Sequence, residues 1–181
     1  MIAKETKLKG CFIIEPQVFE DKRGYFVENY NQKSFKKALG LDVNFVQDNE
    51  SKSSKGVLRG LHYQTGKFAQ AKLVRVIKGS VLDVVVDLRP KSPTFGEHVT
   101  IELSEQNKTQ FFVPRGFAHG FLVLEDNTIF SYKCDNFYNK ESEGGIIFND
   151  EELGIDWKLS AQDLIISDKD KELPKFSKAI L

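Results

Sequence analysis

From Gly56 to Cys134 the chain is a succession of short apolar runs separated by turn signals, and this rhythm limits the fold more than any other feature. Lys72–Ile77 leads through Lys78-Gly79 into Val81–Leu88, and the proline-containing stretch 89–96 ends that run before Val99–Leu103. Ser104–Lys108 is polar, Gln110–Val113 apolar, and Phe121–Leu124 turns through Glu125-Asp126-Asn127 into Thr128–Cys134. Strands recurring at this spacing predict an antiparallel sandwich or barrel. One early helix is predicted over Ser34–Leu39, with Phe35 and Leu39 one turn apart and Gly40 as its terminator. Leu8–Phe19 and Tyr25–Tyr30 are expected as strands outside the barrel, free to pair with another subunit. The tail from Ser142 is charged, yet Ile146, Phe148, Leu153, Trp157 and Leu164 give it apolar anchors, so it is expected to wrap the barrel. The expectation is a single domain over residues 1–181, with a barrel core at about 56–134.

Charge excludes several classes of partner. The 26 basic and 26 acidic residues cancel, with no like-charge block suited to nucleic acid or a membrane surface. An anionic ligand must therefore meet a local basic site. Cys11 and Cys134 stand far apart, which predicts two buried thiols and neither a zinc knuckle nor a disulfide framework. The N-terminus is charged at Lys4, Glu5, Lys7 and Lys9, and no apolar run approaches membrane length, so a cytoplasmic protein is expected.

Two segments concentrate the reactive residue types. Arg59-Gly60-Leu61-His62-Tyr63-Gln64 is followed by Lys72, and Pro114-Arg115-Gly116-Phe117-Ala118-His119-Gly120 holds a second histidine. Buried cations on strands are rare unless paired, so a packing role alone is a poor account of them. Gly56, His62, Gln64, Pro114, Gly116 and His119 have the skeleton of the two cupin motifs. Gln64 stands where metal-binding cupins place a second histidine, and Lys72 where a carboxylate would be wanted. A cation repels a divalent metal, and two histidines leave the site short of ligands, so no metal and no cofactor is expected.

The chain resembles the dTDP-4-dehydrorhamnose 3,5-epimerase family over nearly its whole length. The matching stretches include Asp21-Lys22-Arg23-Gly24-Tyr25-Phe26 with Glu28, Phe45-Val46-Gln47-Asp48-Asn49, Gly56–Gln64, Lys72–Val76, Asp83–Arg89, Pro114–Leu122, Tyr132-Lys133 and Ser167-Asp168-Lys169-Asp170. The resemblance implies an all-β, cupin-type jelly-roll barrel with a few short helices, acting as a homodimer that exchanges N-terminal strands. It implies epimerisation at C3 and C5 of dTDP-4-dehydro-6-deoxy-D-glucose to dTDP-4-dehydro-L-rhamnose, feeding surface polysaccharide such as O antigen.

That chemistry explains the residue types independently. A proton beside a ketone is acidic only if the enolate oxygen is stabilised, and inversion needs a base on one face and an acid on the other. His62 suits the base, since its ordinary pKa of roughly 6.5 lies near neutrality. By resemblance Asp170 holds its tautomer, Lys72 stabilises the enolate and Tyr132 returns a proton from the opposite face. Arg59, Arg23 and Lys169 suit a diphosphate, while Glu28, Gln47 and Asn49 can hydrogen-bond base or sugar, with Asp48 beside them in the matching stretch. Tyr138 can pack on a flat ring. By resemblance Glu143 stands in the substrate site, and Phe19 and Arg23 reach the partner subunit's site.

Structural readings compete at several positions. His119, flanked by glycine, could be a turn residue fixing backbone, or a ligand contact partnered by Asp83. His98 is expected to face solvent, Lys169 and Asp170 alone would read as a solvated turn, and Arg23-Gly24 alone as a hairpin turn. Alternation puts Tyr132 on one face with Phe130 and Cys134, consistent with a cavity role. Arg59 and His62 are an odd number of residues apart, so they converge only if the backbone is irregular at Gly60. The functional rivals are an epimerase acting at one centre, a ketoisomerase of the same fold, and a sugar-nucleotide-binding module without catalysis.

Overall fold

A computed structural model of the chain describes residues 1–179. Its elements, in order, are β1 (Ile2–Glu5), β2 (Phe12–Glu15), β3 (Val18–Asp21), β4 (Gly24–Val27), α1 (Gln32–Leu39), β5 (Gln47–Ser53), β6 (Val57–Gln64), β7 (Lys72–Lys78) and β8 (Ser80–Asp87). There follow β9 (His98–Ser104), β10 (Gln110–Val113), β11 (Phe117–Val123), β12 (Thr128–Cys134), β13 (Glu143–Gly145), β14 (Ile165–Ile166) and α2 (Asp168–Lys171). One sheet runs β1-β2-β10-β7-β12-β5, and the second runs β13-β6-β11-β8-β9 with β14 also on β6. All pairings are antiparallel except that of β14 with β6.

Three apolar layers hold this arrangement, and alternation along the strands builds them. Val81 and Val85 of β8 face the layer between the sheets, with Val74, Phe111, Phe121 and Phe130. Leu82, Val84 and Val86 of the same strand face outward, where the tail covers them with Ile146, Leu153, Trp157 and Phe176. Coverage on both faces explains why all eight residues of β8 are buried. Trp157 also donates its ring N–H to the Phe148 carbonyl (2.8 Å), so the wrapping tail buries an indole without leaving its donor unpaired.

The third layer corrects an expectation. Of Leu8–Phe19, the stretch that forms β2 does not lie outside the barrel, because β2 pairs with both β1 and β10. Ile14 and Phe112 bury one face of that sheet against Phe35 and Leu39 of α1, an apolar contact that holds β2 in place. The helix begins slightly before its predicted start, because Asn31 accepts the N–H groups of Lys33 and Ser34. It ends at Gly40 in the left-handed region, φ 71°, as predicted. Among the described residues only the β3–β4 hairpin forms a sheet of its own, leaving Phe19 and Phe26 exposed at 53% and 67%.

Candidate active site

Pairing of β6 with β11 sets His62 opposite His119 and Arg59 opposite Phe121, so three steps on β6 span two on β11. The extra residue is the irregularity predicted at Gly60, and it brings Arg59 and His62 into one pocket. Only glycines fit at this crossing: Gly60 has φ 124°, and a Cβ on it would lie 2.5 Å from Gly120 Cα. The Gly60–Leu61 peptide bond is cis. His119 is not a turn residue but lies mid-strand, paired to His62 on one side and Val85 on the other.

Asp170 arrives from the far end of the chain. Ser167 Oγ accepts the Asp170 N–H (3.1 Å), capping the single turn of α2. The carboxylate then meets His62, with Oδ1 2.7 Å from Nε2, while Oδ2 accepts the Gly60 N–H (3.3 Å). Burial alone would raise the Asp170 pKa, but the His62 and Gly60 contacts outweigh it and hold the carboxyl below its ordinary value. An ionised Asp170 requires the proton on His62 Nε2, which leaves the lone pair on Nδ1.

A cavity of about 540 Å³ brings His62, Asp170 and Arg59 together with Lys72, His119 and Tyr132. Burial lowers the pKa of the Lys72 ammonium, opposed by the carboxylates of Asp83 and Glu143. Its Nζ sits 5.9 Å from the Tyr132 ring centroid. Burial raises the Tyr132 phenol, which therefore keeps its proton at neutral pH. His119 Nε2 lies 2.8 Å from Asp83 Oδ2, the partner the sequence suggested. Among the described residues no group of three or more histidine, cysteine, aspartate and glutamate side chains is placed to hold a metal ion.

An adjoining cavity of about 320 Å³ shares His62, Lys72 and Tyr132, and adds Gln47, Asn49 and Tyr138. Glu143 closes its rim, accepting the Tyr138 hydroxyl (3.0 Å) and pairing with Lys169 (2.7 Å). Burial would raise Glu143, but Lys169 and Tyr138 hold it below its ordinary value. Gln47 Nε2 donates to Asn49 Oδ1 (3.0 Å), and Gln47 Oε1 accepts the Tyr138 N–H (3.2 Å), tying the strand to the loop. Arg59 donates to Ser53 Oγ (3.2 Å).

Four predicted substrate contacts stand elsewhere. Asp48 falls between Gln47 and Asn49, so alternation turns it to the other side of β5, where it pairs with Lys133 (2.6 Å). It lines a third cavity of about 370 Å³ with Glu28 and Arg75, which reaches the active site only at Tyr132. Phe19 and Arg23 lie on the β3–β4 hairpin, Arg23 bonded to Asp21 across the turn (2.5 Å). His98 does not simply face solvent: it is half-buried, with its pKa lowered first by burial and then by Lys7. The two cysteines are free and buried, as expected.

Sequence reasoning missed the clamp made by Gln64. Its Nε2 donates to the Asn139 carbonyl (2.7 Å) and its Oε1 accepts the Asn139 N–H (2.8 Å), fixing the loop that carries Tyr138. Nothing local signals this, because the partner is remote in sequence. Ser167 was legible: a serine three residues before an aspartate is a helix-start pattern.

Residues 5–178 match the model of the dTDP-4-dehydrorhamnose 3,5-epimerase family. The dTDP-4-dehydrorhamnose 3,5-epimerase of Shigella flexneri is 52% identical over 172 residues, covering 95% of this chain and 94% of that one. A crystal structure of dTDP-4-dehydrorhamnose 3,5-epimerase from Elizabethkingia anophelis superposes with TM-score 0.93 at 62% identity, covering 97% of this chain and 96% of that one. The dTDP-6-deoxy-D-glucose-3,5-epimerase of Legionella pneumophila, solved in complex with dTDP-4-keto-L-rhamnose, gives TM-score 0.93 at 46% identity, covering 97% and 93%. Matched along almost its entire length in sequence and in its cupin-type jelly roll, the chain belongs to the dTDP-4-dehydrorhamnose 3,5-epimerase family.

Proposed function

We propose that the chain inverts C3 and C5 of dTDP-4-dehydro-6-deoxy-D-glucose, giving dTDP-4-dehydro-L-rhamnose, and that His62, Asp170, Lys72 and Tyr132 carry the reaction. The observation that carries this reading is the His62–Asp170 contact at 2.7 Å in one cavity with Lys72 and Tyr132. Both reacting carbons flank the C4 ketone, so one base and one enolate site can serve both. His62 Nδ1 takes the proton, and Asp170 stabilises the imidazolium that results. Electron density moves from the broken C–H bond to the C4 oxygen, where the Lys72 ammonium meets it. Tyr132 then gives its phenolic proton to the carbon from the opposite face. Solvent restores that proton and accepts the one held by His62, so the cycle closes without net change.

The nucleotide occupies the adjoining cavity, with Tyr138 against the thymine ring, Gln47, Asn49 and Glu143 around it, and Arg59 and Lys169 near the diphosphate. The whole chain works as one epimerase domain in a cytoplasmic homodimer, and its product supplies surface polysaccharide. The free hairpin supports this assembly: its exposed aromatics and Arg23 suit a role in the neighbouring site, alongside Glu28. Sedimentation velocity tests the dimer, and a monomer at working concentration counts against it. Proton NMR in deuterated water tests the chemistry. Deuterium entering both C3 and C5 supports the assignment, entry at one alone makes the protein a single-centre epimerase, and binding without exchange makes it a binding module.

A further inference from the structure

Asp83 has no exposed surface, and its second oxygen is unused. Oδ2 meets His119, while Oδ1 is buried with no hydrogen-bond partner among the described residues. Leaving a buried polar group unpaired is destabilising, so its position asks for a cause. The Lys72 ammonium lines the same cavity as His119, the partner of Asp83, and likewise has no ion pair or hydrogen bond among the described residues, only the Tyr132 ring.

The other groups around Lys72 cannot balance its charge. The Cys134 thiol is pushed up to about 11 by burial and is neutral, and the Tyr132 phenol is raised in the same way. Glu143 is committed to Lys169 at 2.7 Å, and Asp170 to His62 at 2.7 Å. Arg59 and the two histidines supply no negative charge. Asp83 is the remaining acid whose charge acts on Lys72.

We propose that Asp83 is a positioning residue for the enolate side of the pocket, fixing the His119 ring through Oδ2 and steadying the Lys72 ammonium through Oδ1. The inference rests on the epimerase reading above. It gives the unpaired oxygen a role, since an ion pair made too tightly there would withdraw Lys72 from the substrate oxygen. Burial raises the Asp83 carboxyl, and His119 and Lys72 pull it back toward ionisation.

The test is Asp83→Asn, which keeps the shape and an acceptor for His119 but removes the charge. Turnover is expected to fall about tenfold or more with KM within about threefold, since the lost interaction belongs to the transition state. Without the negative charge Lys72 sheds its proton more readily, so the basic limb of the rate profile moves down by about one pH unit. An unchanged rate and basic limb, or a change in KM alone, overturns the proposal. Nitrogen NMR of Lys72 reads its protonation directly in both proteins, whether or not either turns over. A lower pKa in D83N supports the proposal and an equal one overturns it, whereas failure of the unaltered protein to exchange C3 or C5 protons sinks the epimerase reading instead. Should D83N not fold, the unaltered protein decides: an ammonium at about pH 8 supports the pairing, and a neutral amine overturns it.

Discussion

Asp83 and Asp87 lie on the same face of β8, four residues apart in sequence and both without exposed surface, yet their surroundings differ completely. Asp87 is the last residue of β8, and its carboxylate is saturated. It accepts from Arg89 Nε (2.8 Å) and Nη2 (2.7 Å), Ser92 Oγ (2.6 Å) and Thr94 Oγ1 (2.7 Å). Burial would raise its pKa, but these donors outweigh it and hold the carboxyl at about 2. Arg89 in turn stacks over Phe117 (4.4 Å) and donates to the Lys9 carbonyl (2.9 Å), pinning the N-terminal loop. Asp83, at the pocket end, has one partner and a carboxyl pushed upward. A saturated buried carboxylate spends its charge on the scaffold, whereas a half-satisfied one leaves its charge to act on its neighbours.

The sharpest way to break this comparison is to damage each end and ask whether chemistry and stability separate. His62→Ala should slow deuterium exchange by about 10²–10⁴-fold, the usual worth of a general base. Its melting temperature should stay within about 3 °C of the unaltered protein. Asp87→Ala should do the reverse. Stripping Arg89 of its buried partner is expected to cost about 3 kcal/mol in urea unfolding, with exchange per folded molecule unchanged. A comparable loss of exchange in both variants would mean the two ends are not independent.

Acid sharpens the contrast, because the two carboxyls carry opposite signs. The folded pKa of Asp87, about 2, lies below its ordinary 3.8, so its stabilisation is complete above about pH 4 and is lost as pH falls toward 2. That window should remove about 2 kcal/mol, and Asp87→Asn should flatten it. The Asp83 carboxyl is raised, first by burial, so it costs stability at neutral pH and the cost fades as pH falls. Asp83→Asn should therefore leave stability at neutral pH unchanged or raise it by up to about 1 kcal/mol while slowing turnover. A loss as large as that of Asp87→Ala would erase the distinction.

The difference between the two carboxylates was only half visible in the sequence. Period-two alternation in Val81–Leu88 places both on the face of Val81 and Val85, and Asp83 was legible as a partner for His119 because both stood in matching segments. The saturation of Asp87 depends on how the proline-containing loop folds back, which no periodicity encodes. The same division runs through the site. The bulge at Gly60 was legible because Arg59 and His62 could not otherwise converge. The outward turn of Asp48 was legible in principle, since Gln47 and Asn49 claim the other face, but the matching stretch was read as a block. Hairpin residues Phe19 and Arg23 lie on a two-stranded sheet of their own, where no alternation against a core fixes what they meet. The Gln64–Asn139 clamp joins residues whose proximity is a product of tertiary folding.

The finest test lies at Ser167, which lines the cavity but acts on His62 only through Asp170. Its Oγ accepts the Asp170 N–H at 3.1 Å, and that same N–H lies 3.0 Å from the Ser167 carbonyl, so the cap is supported twice. Ser167→Ala should thus cost only about 0.5 kcal/mol of stability, the low end for a lost cap. Asp170 is aimed by this turn on one side and by the Gly60 N–H on the other, so loosening the turn should weaken its hold on His62 more than it weakens the fold. A slowing of exchange by about threefold, on the order of 0.6 kcal/mol, is expected, with recovery in Ser167→Thr. If Ser167→Ala exchanges at the unaltered rate, the Gly60 N–H alone suffices to aim the carboxylate. The pocket end of the barrel would then owe its geometry to the bulge on β6 and not to the tail.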